Sequence, residues 1–147
     1  LGVCGLTAHC ILGARYTVLS DGDTDTLANL RANVSHNTQQ SETLQVRQLV
    51  WGDTAHVECI RRQLQQTTKG ETHFDVILGS DIIYVDSVIE PLMETVAALL
   101  DKSGVFILAY ARRNVPVELV LEAAAARGFI WETPKATDGV YVFQRRS

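Results

Sequence analysis

The stretch from His73 to Tyr84 constrains the fold most, because a mainly apolar run, Phe74 to Gly79, leads directly to a carboxylate and a phenol. Long apolar runs of this kind are typical of parallel strands that are buried on both faces of a sheet. In an open α/β sheet, ligands bind beyond the carboxyl ends of such strands. We therefore expect Asp81 and Tyr84 to lie at an edge of the sheet where chemistry takes place.

A second run has the same shape, since Tyr16 to Ser20 leads into Asp21, Gly22 and Asp23. Two such strand ends would deliver acidic groups to one crevice. Either aspartate could instead cap a helix that begins near Thr24. The position at the strand end favours Asp21 as a ligand residue and Asp23 as the cap.

Helical and strand-like patterns alternate along the rest of the chain. The predicted helices are 3–12, one that begins near 24, one that contains 92–100, and 116–127. In the helix that begins near residue 24, Leu27, Leu30 and Val34 form an apolar stripe at i, i+3 and i+7. The predicted strands are 16–20, 44–50, 74–79 and 105–111, followed by an antiparallel pair, 129–132 and 140–144, around Asp138-Gly139. Residues 54–70 fit a short helix or an insertion, and Ser103-Gly104 fits a turn. This alternation predicts an α/β fold with a Rossmann-like, doubly wound, mostly parallel sheet and a C-terminal antiparallel hairpin.

Composition limits the function classes. A length of 147 residues suits one domain over residues 1–147, and the net charge of −4 makes nucleic acid an unfavourable partner. The dense basic spots are only three pairs, namely Arg61-Arg62, Arg112-Arg113 and Arg145-Arg146. The apolar opening is too short to span a bilayer, so no membrane partner is expected. Three cysteines without a disulfide framework favour a reducing compartment, and we expect a monomer in the cytoplasm or nucleus.

Four segments together resemble a known family. They are Gly2-Val3-Cys4-Gly5-Leu6, Leu19-Ser20-Asp21-Gly22-Asp23, Val50-Trp51-Gly52 and Asp81-Ile82-Ile83-Tyr84. In order and spacing they resemble the tail of the glycine-rich motif, the acidic end of the second strand, a Trp after the third strand and an Asp-x-x-Tyr motif. These are features of seven-strand, S-adenosylmethionine-dependent methyltransferases, and specifically of the family-sixteen protein-lysine methyltransferases.

The resemblance implies S-adenosylmethionine as cofactor and Gly2, Asp21, Trp51 and Ser80 as residues that bind it. Asp21 would accept the ribose hydroxyls in charge-assisted hydrogen bonds, and Trp51 would lie against adenine. A Trp at this position is otherwise an ordinary core residue. Ser80 would offer backbone groups to the adenine edge or to the amino acid part of the cofactor.

The same resemblance implies methyl transfer to a lysine of a protein substrate, with Asp81 and Tyr84 as the catalytic residues that orient the amine. The alternative is that Asp81 caps the turn after the strand while Tyr84 packs, half-buried, over the following helix. Small-molecule or nucleic-acid methylation and a non-catalytic binding domain of the same fold are the competing functions, because a fold does not determine the acceptor.

One part of the family pattern is missing. The first strand and its Glu-x-Gly-x-Gly segment are expected to precede Gly2, so the domain is expected to be incomplete at its N-terminus and the fragment alone to bind cofactor weakly. No metal site is predicted. Cys4, His9 and Cys10 would point at about 0°, 140° and 240° around a helix axis and cannot converge. His36, His56 and His73 lack partners at suitable spacing.

Overall fold

The structure, a computed structural model, describes residues 1–38, 42–111, 115–132 and 139–146. Its elements divide into two compact units, Leu1–Thr72 and His73–Ser147. Asp138 and the Arg112-Arg113 pair lie outside the described residues. The single domain over residues 1–147 stays a prediction.

The first unit alternates helices and strands. In chain order it contains α1 (Val3–Cys10), β1 (Thr17–Asp21), α2 (Thr24–Asn37), β2 (Leu44–Gln48) and α3 (Thr54–Thr68). Strands β1 and β2 pair in parallel, from Thr17 with Leu44 to Asp21 with Gln48. Because the register is parallel, both strands end at the same edge of this sheet.

Leucine and valine side chains from two strands and one helix form the core of the first unit. The buried cluster consists of Leu19, Leu27, Leu30, Leu44 and Val46, with Leu6 and Val34 packed against it. The predicted apolar stripe of α2 is therefore confirmed. A Cβ atom at Gly5 would lie 2.3 Å from Leu19 Cδ2, so the Leu19 side chain packs against α1 in space that a larger residue at position 5 would occupy.

Aspartates begin two helices of the first unit. Asp23 is the N-cap of α2 and accepts the Asp25 backbone N–H at 2.9 Å, which confirms its predicted capping role. Asp53 is the N-cap of α3. The open choice for residues 54–70 is resolved as a helix of 15 residues, whose buried side chains are Val57, Ile60 and Leu64.

The second unit contains the remaining strands in one mixed sheet. In chain order it has β3 (Phe74–Ser80), a short 3₁₀ turn (Asp86–Val88), α4 (Ile89–Leu99), β4 (Leu100–Ala109), α5 (Val117–Ala126), β5 (Phe129–Glu132) and β6 (Val140–Arg145). The strand order is β3-β4-β6-β5. Strand β3 is parallel to β4, whereas β6 is antiparallel to both of its neighbours, β4 and β5. The predicted C-terminal antiparallel pair and the α/β class are confirmed.

The turn predicted at Ser103-Gly104 is wrong. Both residues lie inside β4, which extends from Leu100 to Ala109. Phe74 of β3 pairs with Leu100, whereas Val76 pairs with Val105, so the register of the two strands shifts here. The additional residues of β4, which include Ser103 and Gly104, lie in this irregularity. A Cβ at Gly104 would lie 2.9 Å from the Asp75 carbonyl oxygen, so the glycine marks close backbone approach rather than a turn.

Aromatic and aliphatic side chains fill the core of the second unit between the sheet and its helices. The rings of Phe106 and Phe143 stack with centroids 5.6 Å apart, and both are fully buried. Other side chains with no exposed area are Ile83, Met93, Leu108, Val120 and Ala124. No helix in the described ranges is long and apolar enough to cross a membrane.

Candidate functional site

Asp21 ends β1 and holds the turn that follows. Its Oδ1 atom accepts the backbone N–H of Asp23 at 2.9 Å, which forms an Asx turn and leads the chain into the cap of α2. The side chain is partly buried. Asp23, not Asp21, caps the helix, so the carboxylate of Asp21 is aimed by its own turn rather than used for capping.

Trp51 lies in a tight turn after β2. The Asp53 backbone N–H donates to the Val50 carbonyl oxygen at 3.1 Å, which closes a four-residue turn with Trp51 and Gly52 at its centre. Gly52 has a φ of 80°, the value that a type II turn requires at its third position and that glycine adopts without strain. Trp51 is partly buried and does not belong to the buried core cluster of this unit.

Hydrogen bonds join these two turns. The Leu49 backbone N–H donates to the Asp21 carbonyl oxygen at 2.9 Å, and the Gln48 side-chain amide donates to the Gly22 carbonyl oxygen at 3.0 Å. The parallel register therefore continues one step beyond the strands. As a result, the segments that carry the Asp21 carboxylate and the Trp51 ring are adjacent at one edge of the β1-β2 sheet.

Gly2 lies at the N-cap of α1 in a left-handed conformation, with φ 81°. A Cβ there would lie 2.8 Å from Leu30 Cδ2, at the end of a flexible side chain, so the left-handed backbone is the stronger reason for glycine. This backbone conformation accounts for the residue type without a ligand. A backbone contact of Gly2 to cofactor stays a prediction.

In the second unit, Asp81 follows β3 with a φ of 58°, in the left-handed region that non-glycine residues seldom adopt. Its backbone N–H donates to the Ala109 carbonyl oxygen at 2.9 Å, at the end of the parallel partner β4. Backbone strain of this kind concentrates at functional sites. Ser80, the last residue of β3, is exposed beside it.

Tyr84 is 61% exposed, so the alternative in which it packs half-buried over the following helix is wrong. The neighbouring Ile83 is fully buried and anchors the segment instead. Ser80, Asp81 and Tyr84 thus share one short segment at the carboxyl end of β3, and Tyr84 is its most exposed large side chain.

Two residues that sequence reasoning did not assign lie beside Trp51. Asp53 Oδ1 accepts the Ala55 and His56 backbone N–H groups at 2.8 and 3.2 Å. His56 Nδ1 lies 3.3 Å from the Val50 backbone nitrogen and 3.5 Å from Asp53 Oδ2. The hydrogen bond from the backbone N–H of His56 is the main cause that lowers the pKa of the Asp53 carboxyl. Asp53 precedes an apolar helical stripe, and this pattern could have predicted its capping role. No sequence pattern predicts the contact of His56 with Val50.

The structure places Gly2, Asp21 and Trp51 in the first unit, and Ser80, Asp81 and Tyr84 in the second. Within the described ranges, no three His, Cys, Asp or Glu side chains are grouped so that they could hold a metal ion. His9 instead lies 3.3 Å from the Thr17 hydroxyl, measured from its Nδ1 atom.

Known proteins are similar to this chain in sequence and in fold. Residues 1–125 match the model of a family described as lysine methyltransferase. Protein-lysine N-methyltransferase EFM3 of Chaetomium thermophilum is 31% identical over 122 residues, which are 80% of this chain and 35% of the relative. The crystal structure of SMU.776, assigned as a methyltransferase and complexed with SAH, superposes with a TM-score of 0.58 at 15% identity, over 93% of this chain and 40% of that one.

The structural match confirms the Rossmann-like fold. The chain spans about a third of the curated relative and two fifths of the solved structure. The family model covers most of the chain and the relative is more than 30% identical, so the family follows from two independent comparisons. This chain belongs to the lysine methyltransferase family.

Proposed function

We propose that this chain carries the S-adenosylmethionine-binding and acceptor-orienting residues of a protein-lysine methyltransferase. The observation that carries the proposal is the joining of the Asp21 and Trp51 turns through the Leu49 N–H, in a chain of the lysine methyltransferase family. A ribose needs a carboxylate acceptor and an adenine needs a flat apolar surface. One edge of the β1-β2 sheet offers both.

The residues of the first unit fit the adenosine part of this cofactor. Asp21 Oδ1 is engaged by the Asp23 N–H, and the remaining lone pairs of the carboxylate can accept ribose hydroxyls in charge-assisted bonds. The Trp51 ring is partly exposed, so one of its faces can cover adenine. The Gly2 and Ser80 backbones are proposed to contact the methionine part and the adenine edge, respectively.

S-adenosylmethionine, when bound, supplies a methyl group activated by a sulfonium. The task of the protein is then to hold a neutral amine in line with that methyl group. Because a free lysine has a pKa of about 10.4, the site must favour the deprotonated amine by excluding water. We propose that the Asp81 carboxylate accepts an N–H of the lysine and that the Tyr84 hydroxyl accepts a second one.

The exposure of Tyr84 supports a macromolecular acceptor. Tyr84 is 61% exposed and Val85 beside it is 50% exposed, so this segment offers an accessible apolar and aromatic surface to a partner. We also propose a cytoplasmic or nuclear location and a monomeric state. The free thiols of Cys4, Cys10 and Cys59 suit a reducing compartment.

The test is mass spectrometry of a cell lysate incubated with the full-length protein and isotopically labelled S-adenosylmethionine. The expected result is methyl label on lysines of one or a few proteins, strongly reduced when the Asp21→Ala variant replaces the wild type at a cofactor concentration that does not saturate it. Label confined to RNA or to a small metabolite would overturn the lysine assignment. Absence of label on any molecule, with an intact fold, would favour a non-catalytic binding domain.

A further inference from the structure

His56 makes a contact that the proposed chemistry does not use. The residue lies in the first turn of α3, three positions after the N-cap Asp53, and its imidazole reaches back across the turn that contains Trp51. The Nδ1 atom is 3.3 Å from the Val50 backbone nitrogen. Val50 is the first residue of that turn, so the contact fastens the turn at its beginning.

The turn is thereby held at both backbone groups of one residue. The Val50 carbonyl oxygen accepts the Asp53 N–H at 3.1 Å, while the Val50 N–H donates to His56 Nδ1. A ring nitrogen can accept such a bond only when it carries no proton, so the contact requires neutral imidazole with its proton on Nε2. If His56 were protonated, its Nδ1–H would face the Val50 N–H. Two donors cannot form a hydrogen bond with each other, so this contact would be lost.

A competing partner for the protonated ring is already in place. Asp53 Oδ2 lies 3.5 Å from the same Nδ1 atom, and the His56 side chain is 28% exposed. Protonation would therefore exchange the Val50 contact for an ion pair with Asp53. Val50 is 43% exposed, so water can take the released N–H and the turn would loosen without unfolding α3.

The charged groups on neighbouring elements have other partners. The Arg47 guanidinium on β2 bonds the side-chain oxygens of Gln63 and Gln45. Asp21 and Asp23, in the adjoining turn, accept the backbone N–H groups of Asp23 and Asp25. Asp53 is thus the charged group in contact with the imidazole within the described residues.

We propose that His56 is a positioning residue for cofactor binding, which in its neutral form fixes the turn that presents Trp51 and in its protonated form releases it. This inference rests on the proposed function, because Trp51 is there the adenine-binding residue. It adds a proton-dependent control of cofactor affinity. Its physical basis is one backbone hydrogen bond, so the effect is modest and graded rather than complete.

Two readouts on the full-length protein test it, one with ligand and one without. The first is calorimetry of S-adenosylhomocysteine binding between about pH 8 and about pH 5.5, the range in which imidazoles titrate. Affinity of the wild type is expected to fall about three- to tenfold at the lower pH, the equivalent of one hydrogen bond. The second is NMR of the Val50 amide and the Trp51 indole N–H, which should titrate together in the unliganded protein.

Three variants separate the possibilities. His56→Gln keeps an acceptor that does not titrate and should remove the pH dependence, whereas His56→Leu should weaken binding at both pH values. His36→Gln is the matched control, because His36 is an exposed imidazole in the last turn of α2 and should keep the wild-type profile. If His56→Leu fails to fold, the Gln variant and the wild-type titration still decide the matter.

The outcomes distinguish this inference from the proposed function. A full-length wild type that does not bind S-adenosylhomocysteine at pH 8 would overturn the proposed function and this coupling together. Normal binding with a Val50 amide that does not titrate, or with the same pH profile in His56→Gln, would overturn the role of His56 alone.

Discussion

The Leu49 N–H donates to the carbonyl oxygen of Asp21 at 2.9 Å and joins the turns that follow two parallel strands. This bond continues the register that pairs Asp21 with Gln48. It fixes the spacing between a carboxylate at one strand end and an indole after the other. The candidate adenosine site of the first unit therefore depends on strand pairing as much as on side-chain chemistry.

Two substitutions at Asp21 test separately whether its charge or its turn geometry is needed for cofactor binding. Asp21→Asn keeps an oxygen that can accept the Asp23 N–H but removes the charge, and Asp21→Ala removes both. Calorimetry with S-adenosylhomocysteine should show affinity weakened by roughly ten- to a hundredfold in Asp21→Ala, since hydrogen bonds to charged groups contribute about 1.5–3 kcal/mol. Asp25→Ala, in the first turn of α2, should bind as the wild type does. Unchanged affinity of Asp21→Ala would leave only the Asx turn as its role.

Trp51 should behave as a binding residue rather than a core residue. Trp51→Ala is expected to weaken S-adenosylhomocysteine binding about tenfold or more, as loss of an aromatic contact predicts, with a cooperative thermal transition retained. Phe106→Ala is the comparison for a buried ring, because removal of a core Phe costs about 3–5 kcal/mol. A loss of stability in Trp51→Ala similar to that of Phe106→Ala, measured by chemical denaturation, would favour a packing role.

The left-handed backbone of Asp81 makes the choice of substitution important. Asp81→Asn tolerates this conformation and keeps the side-chain shape, so turnover should fall much more than cofactor affinity. Asp81→Ala adds a backbone cost of about 1 kcal/mol and confounds the two effects. Initial rates and calorimetry on the Asn variant give the comparison. Equal losses of turnover and affinity would place Asp81 on the cofactor rather than on the acceptor.

Tyr84→Phe tests the phenol hydroxyl without the ring. Turnover is expected to fall less than in Asp81→Asn, because a neutral acceptor contributes less than a carboxylate. The thermal transition should not change, since the side chain is 61% exposed. Turnover equal to that of the wild type would remove the hydroxyl from the proposed mechanism.

The Asp53 cap predicts a pH dependence of stability. The hydrogen bond from the backbone N–H of His56, not from its imidazole, is the main cause that lowers the pKa of the Asp53 carboxyl in the folded chain. A group with a lowered folded-state pKa stabilises the protein above its unfolded pKa, and this contribution is lost as pH falls through the folded value. Asn caps helices comparably without a charge. Thermal melts should therefore show the advantage of the wild type over Asp53→Asn at neutral pH shrink below about pH 4. A constant difference would contradict this origin.

Local patterns predicted much of the architecture. The stripe of Leu27, Leu30 and Val34 correctly predicted the buried face of α2, and the sequence position of Asp23 correctly predicted the cap of that helix. These features depend on near neighbours in sequence. The Ser103-Gly104 turn was wrong because glycine has the same signature where a chain turns and where two backbones approach closely.

The site was less predictable. Asp81 and Tyr84 followed from a run that ends in polar groups, but neither the left-handed φ of Asp81 nor the exposure of Tyr84 is encoded in that pattern. His56 has no partner by spacing, because its contact with Val50 forms only once the intervening turn has folded back. Contacts across a turn depend on turn geometry, which residue type alone does not determine.

The position of β6 has a consequence for biosynthesis. This strand, residues 140–145, lies between β4 and β5, which precede it in sequence. While the chain is on the ribosome, β4 therefore has to wait with an unpaired edge until residues 140–145 have been synthesised. At about 5–20 residues per second this interval lasts a few seconds, during which the edge of β4 is open to pairing with other chains.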